Sequence, residues 1–101
     1  MEVARVNQLE FPSEEALNKF DEARKRGVGS INPYASIQLV VKTSPTSLLA
    51  INVFANEAAS VAAIPYREKF IEENGFKEEW YMDGELFQHY VNHRAGKLTE
   101  E

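Results

Sequence analysis

The sequence predicts an α+β domain in which two helices cover one face of a four-stranded antiparallel sheet. Three observations carry this reading. Apolar periodicity runs strand, helix, strand, strand, helix, strand through 101 residues; turn chemistry at Thr43-Ser-Pro-Thr-Ser47 joins the middle pair of strands; and the third strand, residues 48–55, is apolar on both faces. A βαββαβ order over this length is the ferredoxin-like plait. One face of residues 48–55 can meet the helices, and the other needs a different cover.

In the first strand, residues 3–11, Val3, Leu9 and Phe11 share one parity and Ala4 and Val6 the other. Arg5 and Asn7 interrupt the apolar parity with polar side chains. Pro12-Ser13 closes the strand, Ser13 caps a helix whose first turn carries Glu14 and Glu15, and Ala16, Leu17, Phe20 and Ala23 recur at helical spacing. Arg24, Lys25 and Arg26 complement the dipole at the helix end, and Gly27 stops it. After a loop over residues 27–33, Ile37, Leu39 and Val41 alternate with Gln38, Val40 and Lys42 as the second strand.

Asn56 caps the second helical segment, with Glu57 in its first turn and Ala58, Ala59, Val61, Ala62 and Ile64 on its apolar side. Pro65 lacks the N–H that an inner turn uses, which predicts a kink or a second helix opening at Pro65, anchored by Phe70 and Ile71 and ended by Asn74-Gly75. Asp83-Gly84 is a two-residue hairpin signal between residues 80–82 and 86–91. The fourth strand is assigned to residues 86–91, over a rival helix capped by Asp83 and stopped by Gly96, because Phe87, Tyr90 and Val91 suit a strand better. A single domain thus spans residues 1–94, followed by a loose tail over 95–101.

The net charge of −5 and pI near 5.1 argue against nucleic acid as a partner, since phosphate binding draws its affinity from clustered Lys and Arg. The absence of cysteine removes disulfides, thiolate metal sites and thiol nucleophiles, and suits a cytoplasmic protein. No apolar run reaches the roughly 18 residues of a membrane span, and no basic and apolar leader follows Met1. The expected chain is soluble, with no membrane partner.

Chemistry-bearing motifs are few. His89 and His93 share a face on either a helix or a strand, but Glu85 is the sole carboxylate of suitable parity nearby, so no metal site is assigned. The pairs Glu14-Glu15, Glu72-Glu73 and Glu78-Glu79 are adjacent in sequence, point in different directions and read as solvated charges. Gly27-Val-Gly29 lacks the further glycine and lysine of a phosphate loop, and no serine sits in a nucleophile elbow. No cofactor is assigned. Residues 48–55 have one aromatic and no charge, unlike the third strand of RNA-recognition plaits, and copper-chaperone plaits need a cysteine pair.

The N-terminal Met-Glu-Val-Ala-Arg-Val-Asn-Gln-Leu-Glu-Phe strand, the hairpin ending Ala-Ile-Asn-Val-Phe-Ala-Asn, and the alanine-rich helix interrupted at Pro65 resemble the dimeric α/β-barrel superfamily, which includes the antibiotic-biosynthesis monooxygenases. The likeness covers about residues 1–75. It implies a homodimer packed sheet face to sheet face, which is a cover for the second face of residues 48–55. It also implies a cavity between each sheet and its own helices, with Asn7 at the position of a first-strand asparagine that points inward. In the haem-degrading branch a tryptophan and a histidine accompany that asparagine; Ala63 and Glu73 stand at about those positions here, which argues against haem degradation.

The resulting expectation is a domain that binds a hydrophobic or amphipathic small molecule of acyl-chain, polyketide or quinone type. Arg5, Asn7, Tyr34, Phe54, Tyr66, Phe70, Trp80 and Tyr90 are the candidates to line the cavity. The alternative is a cofactor-independent monooxygenase or isomerase in which Asn7 and Tyr66 or His89 orient substrate and move a proton. A structural or regulatory dimerisation module is the third reading.

Overall fold

The computed structural model describes residues 1–25 and 33–91. Arg26, residues 27–32 of the first helix stop and loop, His93, Gly96 and the tail over 95–101 lie outside the described residues. The elements follow in the order β1 (Val3–Glu10), α1 (Glu14–Lys25), β2 (Ala35–Ser44), β3 (Ser47–Phe54), α2 (Glu57–Asn74) and β4 (Lys77–Glu85). They form one sheet of order β2-β3-β1-β4 with every neighbouring pair antiparallel, the strand order of a ferredoxin-like plait.

Local chemistry sets most boundaries. The Ser13 hydroxyl accepts from the Ala16 N–H at 3.1 Å to open α1, and the Asn56 side chain accepts from the Ala59 N–H at 2.8 Å to open α2. Gly75 closes α2 at φ 70° while its N–H donates to the Ile71 carbonyl at 3.0 Å. The β2–β3 hairpin turns at Pro45-Thr46, where the Thr46 N–H donates to Ser44 Oγ at 3.1 Å and the Thr46 hydroxyl to Glu10 Oε1 at 2.6 Å.

Two expectations fail. Of the two outcomes expected at Pro65, a second helix opening there does not form; α2 runs from Glu57 to Asn74 with Pro65 inside it. Val61, whose carbonyl loses its partner, is exposed along with Ala62 and Pro65, so the missing bond falls on the face open to water. The fourth strand is not residues 86–91 but Lys77–Glu85, which continues through the anticipated Asp83-Gly84 turn. Asp83 pairs with Arg5 and Gly84 with Ala4 along β1, and residues 86–91 follow outside regular structure after the Leu86 N–H donates to the Glu2 carbonyl at 2.9 Å. A distant partner strand overrides the local turn preference.

Parity divides the sheet into two faces. Arg5, Asn7 and Leu9 of β1 face the helices, and the register places Asn52, Ala50 and Leu48 of β3 beside them. Leu9, Phe11, Leu17, Phe20, Leu48 and Phe76 form the core at one end, where the Phe11, Phe20, Phe70 and Phe76 rings meet at centroid distances of 4.9 to 5.8 Å. The opposite face carries Val6, Leu49 and Ile51, flanked by Leu39, Val41, Trp80 and Met82, which are 43 to 61% exposed. This is the second apolar face of the third strand, extended across all four strands.

Candidate functional site

A cleft opens between the helix face of the sheet and α2, with about 50 Å³ of free space inside it. Its apolar floor comprises Leu9, Leu48, Phe54, Phe70, Ile71 and Phe76; its polar side chains are Arg5, Asn7, Gln38, Asn52 and Arg67. Volume alone would hold only a few water molecules. The polar groups give the cleft its character.

Arg5 is buried from β1 and held on every side. Its Nε and Nη2 donate to the two carboxylate oxygens of Asp83 at 2.7 and 3.0 Å, and its Nη1 and Nη2 donate to the Ser60 carbonyl and hydroxyl of α2 at 3.3 and 3.4 Å. The guanidinium also lies 5.4 Å from the Phe54 ring centre and 5.9 Å from that of Tyr81. Arg5 therefore joins β1, β4 and α2, and its donors are committed.

Asn7 lies two residues along, in the same parity. Its Nδ2 donates to Glu78 Oε2 at 3.0 Å, and that contact with a carboxylate orients the amide, because the reverse orientation would set two acceptors against each other. Its Oδ1 is buried with no partner. Arg67 of α2 approaches the same Glu78 Oε2, with its Nε 3.6 Å away, and stacks on Tyr81 at 4.6 Å. At that separation the contact is an ion pair rather than a hydrogen bond, and Arg67 Nε and Nη1 are buried without acceptors. One unused acceptor and two unused donors thus gather around a single carboxylate oxygen.

Glu78 reaches this place through a β-bulge. Gln8 pairs with Trp80 and Leu9 with Glu78, so Glu79 is the additional residue and Glu78 falls on the helix face. The expectation that Glu78 and Glu79 are both solvated is corrected here: the Glu78 side chain is 15% exposed, and only Glu79 faces water. Sequence reasoning passed over Glu78, Arg67 and Asp83. Arg67, three residues before the inward Phe70, was the one with a readable signal.

Of the sequence candidates, the cleft brings together Arg5, Asn7, Phe54 and Phe70. Trp80 is on the open sheet face, Tyr34 precedes β2 and is 47% exposed, and Tyr90 and His89 are exposed beyond β4. Tyr66 lies on the outer side of α2, in a shallow depression with Lys69, Phe70 and Glu73. Among the described residues no three His, Cys, Asp or Glu side chains are grouped as a metal site would require.

No protein-family model and no curated protein matches the sequence. Solved structures do. The cofactor-independent oxygenase SnoaB from Streptomyces nogalater superposes with a TM-score of 0.63 at 15% identity, over 90% of this chain and 98% of that one. A protein from Chloroflexus aurantiacus provisionally assigned as an antibiotic biosynthesis monooxygenase gives 0.62 at 10% identity, over 90% and 98%. This chain shares the ferredoxin-like fold of these proteins. A dimeric ferredoxin-like protein from an uncultured marine organism shares it, with a TM-score of 0.65 at 8% identity over 91% and 100% of the two chains. Within this fold, Ala63 is fully buried on the inner side of α2 and Glu73 is exposed, 3.9 Å from Lys69. No helix among the described residues is long and apolar enough to cross a membrane.

Proposed function

We propose that the protein is a homodimer, packed through its open sheet faces, in which each protomer binds a small amphipathic molecule in the cleft between its sheet and α2. The enclosed, unpartnered Asn7 Oδ1 and Arg67 Nε and Nη1 carry the binding reading. Buried polar atoms are nearly always satisfied, and three beside one cleft provide a ready set of ligand contacts. The apolar floor supplies the rest of the affinity, as in most small-molecule sites. A ligand larger than a few waters enters by displacing apolar side chains of α2, Phe70 among them.

The dimer reading rests on the apolar sheet face and on the dimeric protein of the same fold. Light scattering at micromolar concentration is expected to return twice the 11.5 kDa chain mass, and Leu39→Glu to return a monomer that retains its far-ultraviolet circular dichroism. A monomeric wild-type chain would overturn it.

Small molecules released by denaturing the purified protein, identified by mass spectrometry, test the binding reading. An apolar compound with a polar head, enriched over a Phe54→Trp variant that fills the cleft, is expected; no enrichment would refute it. SnoaB is a cofactor-independent oxygenase, but Tyr66 and His89 lie away from the cleft, so binding without turnover is the reading this arrangement supports best.

A further inference from the structure

We infer that the ligand of this cleft is a hydroxy acid with an apolar chain: its carboxylate accepts from Arg67, its hydroxyl donates to Asn7, and its chain lies along the apolar floor. The inference rests on the binding reading above and specifies its chemistry. Asn7 is 5% exposed and its free atom, Oδ1, can only accept a hydrogen bond. Arg67 is 15% exposed and its free atoms, Nε and Nη1, can only donate. Both residues approach one oxygen, Glu78 Oε2, at 3.0 and 3.6 Å, so the two kinds of unmet demand lie within a few ångströms of each other. A ligand that satisfies both carries an acceptor and a hydroxyl donor on neighbouring atoms. A simple acid, ionised, meets only Arg67, and a simple alcohol reaches both only by offering Arg67 a neutral acceptor in place of a charged one.

Charge distribution selects the anion. The site holds two guanidinium groups and two carboxylates, but the four are unequally screened: Asp83 is 38% exposed, against 15% for Glu78 and Arg67 and 3% for Arg5. Water weakens the field of Asp83 most, which leaves the Arg5 charge to bias the enclosed cleft toward positive potential, while Glu78, as enclosed as Arg67, offsets only the Arg67 charge. Arg5 is already saturated by Asp83 and Ser60, so Arg67 is the guanidinium with capacity to spare. Leu9, Leu48, Ile71 and Phe76 then provide the apolar surface for the chain.

Isothermal titration calorimetry with 3-hydroxyoctanoate, octanoate and 1-octanol tests the inference on the full chain. Octanoate is expected to bind about tenfold or more tightly than 1-octanol, and 3-hydroxyoctanoate about threefold or more tightly than octanoate, the scale of one charged and one neutral hydrogen bond. Asn7→Ala should abolish the second ratio and keep the first. Because removing Arg67 alone strands the Glu78 carboxylate, the first ratio is tested in Arg67→Met with Glu78→Gln, against Glu78→Gln alone. Loss of the preference for octanoate in the double variant supports the assignment, and its persistence overturns it. Equal binding of the three compounds overturns the hydroxy-acid inference while leaving an apolar binding cleft; absence of binding by all three overturns both.

Discussion

Removing Asp83 should damage this protein more than removing Arg5, although the two form one ion pair. Arg5 is 3% exposed and Asp83 38%, so the partners differ in what they do when left alone. In Asp83→Ala the guanidinium loses contacts of 2.7 and 3.0 Å and keeps only the longer ones to Ser60, at 3.3 and 3.4 Å, with no counter-charge. Stranding a buried charge costs about 3–5 kcal/mol, and the partial exposure of the site lowers this to about 2–4 kcal/mol. In Arg5→Met the freed carboxylate turns to water, the methionine retains packing against Phe54 and Tyr81, and the loss is about 1–2 kcal/mol, including the stranded Ser60 hydroxyl. Urea denaturation at one fixed protein concentration, which holds any dimer contribution constant, measures both. The double variant should resemble Arg5→Met, so the coupling energy should match the Asp83→Ala loss, about 2–4 kcal/mol. An Asp83→Ala loss equal to or smaller than that of Arg5→Met would refute the view that burial of the arginine dominates this pair.

Three further outcomes follow from single features. Phe54→Ala removes a fully buried ring at the end of the inner strand β3 and should cost about 3–5 kcal/mol in urea unfolding. Asn56→Ala deletes the hydrogen bond to the Ala59 N–H and should cost about 1 kcal/mol, read as a lower denaturation midpoint with an unchanged slope. Gly75→Ala should also cost about 1 kcal/mol, and from backbone strain alone, because a Cβ there meets nothing within 4 Å; Gly75→Asn, which tolerates φ 70°, should lose measurably less.

Features governed by neighbours in the chain were legible. Ser13, Asn56 and Gly75 act within one helical turn, and the two-faced apolar pattern of β3 follows from alternation along one strand. Asn7 and Arg5 could be singled out because each breaks an apolar parity, a conflict visible without any partner. Pro65 and Asp83-Gly84 misled for a common reason. Each carries a strong local preference, and each is overruled by something distant or by solvent: β1 holds Asp83-Gly84 in a ladder, and water faces the turn whose bond Pro65 removes.

Periodicity and capping along the chain were enough to set the βαββαβ order, the helix caps, the two apolar faces of β3 and the two polar residues that enter the helix face of β1. Those depend on side chains a few residues apart. Long-range pairing is what makes Lys77–Glu85 the fourth strand, turns Glu78 inward through a bulge at Glu79, and brings Arg67 from α2 to the carboxylate oxygen that Asn7 also contacts. The cleft chemistry joins side chains up to 78 positions apart, set by a register and a bulge that no local pattern encodes.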